Sequence, residues 1–479
     1  MHDRCVVVLD AGKTHTKLTL WAPDGALVAR RSRQNAVVDA GGYQALDAAA
    51  IEVWTAATLK EFAGLGHIGT VVPVGHGAAA ALIRDERLAC PPVDYEQPIP
   101  AATRSRYDAG RDRFSDTGSP ALPEGLNLGA QLFWLEEITP SLARSDVAIL
   151  PWPQYWAWLL CGVAASEVTS LGCHTDLWRP SESRPSALSV AHGWAERFAP
   201  LRRADEVLGV LRREWVARTG LPADTQVLCG LHDSNAALLA ARGFPQIADH
   251  EATVVSTGTW FVAMRSRGAL ADSKRLDVPE CRDCLVNVDA YGKLIPSARF
   301  MGGRELELLN AHPGKRLDHL PDQAGILDAV AEVVRGGYMA LPTLAPGFGP
   351  YPHARHRWCR EPAEPDAHRA AAGLYAALTM DTALTLIGAR EVILVEGRFA
   401  EAEVFVRALA ALRPDAAVYV SHAHNGVPYG ALRLRNPAMP PPGTLRRVEP
   451  LASDLKTYAD RWRLEAARSE HITASIWNE

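Results

Sequence analysis

The chain has 479 residues, beyond the size at which a single hydrophobic core keeps growing, so it is expected to divide into two or three domains. Hydrophobic residues make up 48% and charged residues 22%, a globular balance that excludes a disordered chain. A formal charge of -5 with scattered basic residues excludes a nucleic-acid stripe and an anionic-membrane patch, which leaves small-molecule chemistry as the expectation.

The opening residues, MHDRCVVVLD, run straight into a strand-like segment with no signal-peptide apolar region. No stretch reaches the roughly 18 apolar residues of a membrane span, so a cytoplasmic location is expected. Eight cysteines, mostly in apolar segments such as those of Cys161 and Cys229, read as reduced core thiols. Cys281 and Cys284 form C-x-x-C, but no second pair completes a zinc site.

Cys5 to Asp10 is a β-branched run broken by Gly12. Leu18, Leu20 and Ala22 then share a strand face before the turn Pro23-Asp24-Gly25, and a third strand starts at Ala26. A helix with Leu46, Ala50, Val53 and Ala57 on one face follows, then a strand from Ile68 to Val74. Gly64, Gly66 and Gly69 match G-x-G-x-x-G but follow a helix and precede a strand, the reverse of the order that brings a helix N-terminus to a pyrophosphate. They read as a helix stop. The G-x-x-x-x-G-K-[ST] phosphate loop is absent, so any nucleotide is held otherwise.

The opening pattern recurs about 245 residues on: Ala252 to Val255 leads into Ser256-Thr257-Gly258-Thr259 and a strand from Trp260 to Met264. Two halves that start alike suggest duplicated domains, with a boundary near Gln246 to Glu251 and a hinge around Gly243 to His250. Later, Glu391 to Val395 is a strand entering a turn at Gly397, then come a helix from Ala400 to Leu412 and a strand from Ala417 to Val420. Pro437 to Gly443 ends the second domain. Leu455 to Ala467 forms a C-terminal helix packed through Leu455, Tyr458 and Trp462. The expected domains are 1–246, 247–443 and a helical extension, 444–479.

A tight hairpin whose amides and hydroxyls face the phosphates is an alternative cradle, and Asp10-Ala11-Gly12-Lys13-Thr14-His15-Thr16-Lys17 fits it. Gly12 makes room, Thr14 and Thr16 offer hydroxyls, Lys17 offers charge, and Asp10 could hold Mg2+ through water. The competing reading is an exposed threonine-rich hairpin with a capping aspartate. The second hairpin, at Ser256 to Thr259, favours the phosphate reading.

Four segments in order, LDAGKTHTK, ASEVTSLGCHTDLW, CGLHDSNAA and STGTW, resemble the FGGY family of carbohydrate kinases in the actin, Hsp70 and hexokinase superfamily. The resemblance spans nearly the whole chain. It implies an α/β fold of two actin-like (ribonuclease H-like) domains with a cleft between them, and transfer of the γ-phosphate of ATP, with Mg2+, to a sugar hydroxyl. In Gly-x-x-Asp the family's aspartate removes the acceptor's proton, and the position here is Asp233, after Gly230; the alternative is that Asp233 only caps the helix that begins at Ser234. Thr257 and Gly258 resemble the second phosphate loop. Gly397 resembles the adenosine turn, although Glu396, Arg398 and Ala400 depart from the family's Gly-Gly run and Asn. Lys13 replaces a usual hydroxyl residue and either adds charge at the phosphates or faces water.

The resemblance places sugar contacts at His76 and at Asp94, Tyr95 and Glu96, with Asp233 also touching the acceptor and Tyr95 or Trp152 as apolar platform. His76 as an ordinary structural histidine stays open, because the family's aspartate-arginine arrangement is missing from that loop. Glu167 and Thr169 match a motif that builds the domain, and Trp178 reads as core. The implied acceptor is a ketose such as L-rhamnulose, L-fuculose or a ketopentose. The alternative is an inactive nucleotide-binding regulator or chaperone-like protein on the same fold. No nucleic-acid or membrane partner is expected, and a homodimer is left open.

Overall fold

The computed structural model describes residues 4–266, 278–310, 317–421, 426–441 and 443–476, with side chains as far as residue 470. Residues 1–3, 267–277, 311–316, 422–425, 442 and 477–479 of the expected domains therefore lie outside the described residues. Two compact units are present. One comprises Met1–Gly243, Val286–Leu294 and Asn425–Pro442, the other Phe244–Leu285, Ile295–His424 and Gly443–Glu479.

In the first unit β1 (Cys5–Ala11), β2 (His15–Trp21) and β3 (Leu27–Gln34) form the expected antiparallel run. Helix α1 (Ala48–Ala63) starts where the Asp47 carboxylate accepts the Ala50 N–H at 2.9 Å and stops at Gly64, as the glycine pattern implied. Its buried face is Ala48, Ile51, Thr55, Leu59 and Phe62, which corrects the expected one: Leu46 precedes the helix and Val53 is 65% exposed. Alanines spread around this helix define no stripe, and the bulky Ile51, Leu59 and Phe62 decide which side is buried.

Next come β4 (Ile68–Gly75), α2 (Trp152–Cys161), α3 (Val168–Leu171), β5 (Val207–Val210), β6 (Gln226–Leu228), β7 (Leu231–His232) and α4 (Asp233–Ala241). The sheet runs β5-β6-β4-β1-β2-β3, with β7 also paired to β4. Val7, Leu9 and Ala11 of β1 join one apolar cluster with Ile51, Leu59, Phe62 and Trp156; Val6 and Val8 join another with Val72, Val74 and Ala236. A strand covered on both faces must be apolar at every position, so Val6 to Leu9 reads as an unbroken run. Each such side chain contributes about 1.5–3 kcal/mol by leaving water.

In the second unit a helical turn at Pro245–Ala248 occupies the segment expected as hinge. Strands β8 (Ala252–Thr257), β9 (Phe261–Ser266) and β10 (Leu294–Phe300) are antiparallel neighbours, and β8 pairs in parallel with β11 (Val392–Gly397), which pairs in parallel with β12 (Ala417–Ser421). Helices α5 (Pro365–Leu386) and α6 (Glu403–Leu412) belong to the same unit. The chain then returns to the first unit as α7 (Gly426–Arg435), which packs on α4 so closely that a Cβ on Gly430 would lie 1.8 Å from the Ala236 carbonyl oxygen. Helix α8 (Lys456–Ile476) closes the second unit; Leu455, Tyr458 and Trp462 are buried as expected, and Trp462 Nε1 donates to the Ala340 carbonyl at 2.7 Å. All eight cysteines are free thiols. Among the described residues no helix is long and apolar enough to cross a membrane, and no group of three metal-ligating side chains is present.

Candidate active site

Three parallel strands of the first unit end side by side. Asp10 of β1 is level with Val74 of β4, and Leu231 and His232 of β7 are level with Val74 and Gly75. Asp10, His76 and Asp233 therefore emerge together at the carboxyl edge of the sheet, where open α/β sheets place their ligands. The path into Asp233 requires glycine. Gly230 has φ +76°, and a Cβ there would lie 1.9 Å from the Pro73 carbonyl oxygen.

His232, not Asp233, takes the capping position of α4, and Asp233 is its first helical residue, one earlier than expected. The Asp233 carboxylate does not make the usual capping bonds to amides two or three residues on. Its Oδ1 accepts the Ser234 N–H at 2.6 Å and the Ser234 hydroxyl at 3.3 Å, with His232 Nε2 at 3.2 Å. Burial holds His232 neutral, its pKa lowered to about 4, and Asn235 Nδ2 lies 3.3 Å from Nδ1. With the amide donating to Nδ1, the ring proton sits on Nε2 and is donated to Asp233. Those bonds all fall on Oδ1. Burial raises the Asp233 pKa to about 6 against the Ser234 bonds and the Lys17 charge. Asp10 is raised to about 6 as well, first by burial and then by the neighbouring Asp233, while Lys17 and Arg30 oppose the shift. Lys17 Nζ is 3.8 Å from Asp10 Oδ2.

A buried relay fixes the entry to α4. The His232 N–H donates to Thr169 Oγ1 at 3.0 Å, and that hydroxyl donates to Glu167 Oε2 at 2.5 Å. Gln154 Nε2 holds the carbonyls of Cys229 and Gly230 at 3.3 and 3.2 Å. Glu167 and Thr169 thus build the domain, as the motif implied, and do so directly behind Asp233. Gln154 carried no local signal.

In the first hairpin a Cβ on Gly12 would meet the His15 carbonyl oxygen at 2.8 Å, which explains the glycine. Asn35 Nδ2 donates to the Gly12 and Lys13 carbonyls at 2.8 and 3.2 Å, and the buried Thr16 donates its hydroxyl to Asn35 Oδ1 at 2.9 Å. Thr16 therefore braces the bend, and the exposed hydroxyl of this loop is that of Thr14. Asn35, which braces this candidate loop, has no signal in the local sequence.

Lys13 neither faces water nor stands free at the bend. Its ammonium lies 3.1 Å from Asp94 Oδ1 and 2.5 Å from Glu96 Oε2, and 5.1 Å from the centre of the Tyr95 ring. Tyr95 meets His76 edge-on at 5.6 Å. Trp152 is fully buried and donates Nε1 to the Ala11 carbonyl at 3.0 Å, so Tyr95 and not Trp152 is the available platform. His76 is buried with both ring nitrogens lacking hydrogen-bond partners, and burial lowers its pKa to about 3.

In the second unit Thr257 and Gly397 are level on parallel strands. Gly397 has φ +89°, and a Cβ would lie 2.3 Å from the Thr257 carbonyl oxygen. The buried Thr257 hydroxyl donates to the Glu396 carbonyl at 2.6 Å and accepts the Phe399 N–H at 3.0 Å, tying the two turns together. The Gly258 N–H closes its own hairpin onto the Trp260 carbonyl at 2.9 Å. Ser256 donates to Glu396 Oε1 at 2.9 Å, and burial raises the Glu396 pKa to about 7. The Arg398 charge is engaged by Asp318 at 2.8 Å and Glu307 at 3.1 Å.

Residues 249–442 match the family description "Carbohydrate kinase FGGY, C-terminal domain". A carbohydrate kinase of known structure from Novosphingobium aromaticivorans is 53% identical, and the likeness covers 98% of this chain and 100% of that one with a TM-score of 0.92. The rhamnulokinase of Bacillus subtilis (strain 168) is 34% identical over 132 residues, 27% of this chain and 26% of that protein. The L-fuculokinase of Escherichia coli (strain K12) is 25% identical over 323 residues, 64% of this chain and 66% of that protein. The matches thus span about a quarter and about two thirds of these two curated relatives. Fold and comparisons define the class: a sugar kinase with the two-domain, actin-like α/β architecture. The chain belongs to the FGGY family of carbohydrate kinases.

Proposed function

We propose that this chain transfers the γ-phosphate of Mg-ATP to a hydroxyl of a ketose such as L-rhamnulose, L-fuculose or a ketopentose, with Asp233 as general base. The observation that carries this reading is the Asp233 carboxylate at the carboxyl edge of the sheet, beside Asp10, with its described bonds confined to Oδ1. Oδ2 is then available to the acceptor hydroxyl. Phosphoryl transfer passes through a loose transition state, so a base of modest strength that takes its proton late suffices.

The donor set fits the nucleotide and its metal. Mg2+ keeps several waters and uses one or two carboxylates plus phosphate oxygens, so Asp10 alone meets the protein's share. Burial, the main cause of its raised pKa of about 6, disfavours the charged form, and a bound dication would offset that cost. When bound, the metal would neutralise charge on the phosphates. Gly12, Thr14 and Lys17 of the first hairpin, and Thr257, Gly258 and Gly397 of the second unit, are the proposed nucleotide contacts. Thr16, Asn35 and Thr257 hold those turns in shape. His76, Asp94, Tyr95 and Glu96 are the proposed acceptor contacts; the orphaned nitrogens of His76 suit sugar hydroxyls, each of which both donates and accepts.

The test is ADP release from Mg-ATP across a panel of ketoses. At least one sugar should raise it well above background, and Asp233→Asn should cost that sugar about 100-fold or more in kcat. The reading fails if no ketose stimulates release, or if Asp233→Asn keeps full turnover.

A further inference from the structure

Lys13 sits in the hairpin proposed to meet the phosphates, yet its charge is directed away from the bend. Three observations bear on its task. Its amine is held by Asp94, only 3% exposed, and by Glu96, with the Tyr95 ring beneath it. The same Asp94 oxygen accepts the Glu96 N–H at 3.0 Å, so the ammonium sits on a turn that is already closed. Tyr95, the residue between the two carboxylates, is the one in edge contact with His76, whose buried ring nitrogens lack partners. Removing the ammonium leaves Asp94 and Glu96 facing each other with Glu124 nearby and no described cation among them. Like charges in that arrangement separate, and Tyr95 moves with them.

We infer that Lys13 is a specificity-determining residue for the acceptor: it ties the loop of Asp94, Tyr95 and Glu96 to the first hairpin and so sets the wall of the sugar site, and it is not a phosphate ligand. This rests on the proposed acceptor site. The lysine side chain is 14% exposed and both of its carboxylate partners lie on one loop, so the amine has no freedom to swing to a phosphate without breaking two ion pairs. A hydroxyl residue at position 13 reaches neither carboxylate. The tie therefore depends on this side chain's length and charge.

The experiment compares Lys13→Thr with the conservative variant Lys13→Arg. In Lys13→Thr the KM for the accepted ketose should rise roughly three- to tenfold, with the KM for ATP changed less than about twofold. Lys13→Arg should recover at least half of that loss, because it keeps a long cationic side chain against both carboxylates. Two measurements need no turnover: amide hydrogen exchange across residues 92–97 should quicken in Lys13→Thr, and ADP affinity by calorimetry should be unchanged. These also separate this inference from the proposed function, since a wild type that phosphorylates no ketose leaves both readable. The inference is overturned if Lys13→Thr weakens ADP binding while exchange at 92–97 stays as in wild type, or if the ATP KM rises and the ketose KM does not.

Discussion

Lys17→Met offers the sharpest check on the electrostatics of the site. Lys17 lowers the pKa of both Asp10 and Asp233, and each of those carboxyls nevertheless stands near 6 because burial outweighs the lysine. The ammonium is 3.8 Å from Asp10 Oδ2, a separation worth about 4 kcal/mol at an effective dielectric constant of 20. The lysine side chain is 40% exposed, so solvent screening cuts this to on the order of 1 kcal/mol, or roughly 0.7 pH units. The sign follows from the base being active only when ionised. Wild-type kcat/KM for the ketose, at saturating Mg-ATP, should fall as pH drops through about 6. In Lys17→Met the same limb should move upward, toward neutrality. Its plateau will also drop if Lys17 meets phosphate, so the midpoint and not the height is the readout. A limb near 4 in the wild type, or a downward move in the variant, would refute the assignment of Asp233 and Asp10 as a burial-raised pair.

Two further outcomes follow from packing and linkage. Gly230→Ala puts a methyl group 1.9 Å from the Pro73 carbonyl oxygen at φ +76°, so thermal unfolding should report a loss of about 2 kcal/mol or more; an unchanged Tm would contradict the described turn. Glu167 is fully buried with its pKa raised to about 7 by burial, so its proton stabilises the fold below its unfolded value near 4.3, and that contribution is lost as pH rises through 7. Glu167→Gln should therefore compare more favourably with wild type at pH 8 than at pH 5 in denaturant titrations, and a difference independent of pH would count against a buried, protonated Glu167.

Much of this was legible because the signals are local. Val6 to Leu9 reads as a buried strand from its unbroken apolar run, and Gly12, Gly230 and Gly397 mark bends that the backbone cannot make with a side chain present. The rest depends on distant partners. Asn35 has no periodic or motif signature, and its value comes from reaching back to the Gly12 and Lys13 carbonyls. Lys13 reads as a phosphate residue from its place in the hairpin; its partners, Asp94 and Glu96, are about eighty residues away. The face of α1 was misread because alanine satisfies the apolar template on any side, whereas burial went to the residues with volume to fill the space.

The return of the chain as α7 has a consequence for how the protein is made. The helix that begins at Asp233 is synthesised well before Ala431 and Leu432, which share its apolar cluster, and before Gly430, which lets α7 approach its backbone. During translation the first unit waits, with that flank uncovered, while most of the second unit is synthesised. The proposed base thus gains its final support only after α7 has been made. A nascent chain stalled before residue 426 should be the form that chaperones hold and proteases cut, so synthesis of α7 acts as a checkpoint on the site.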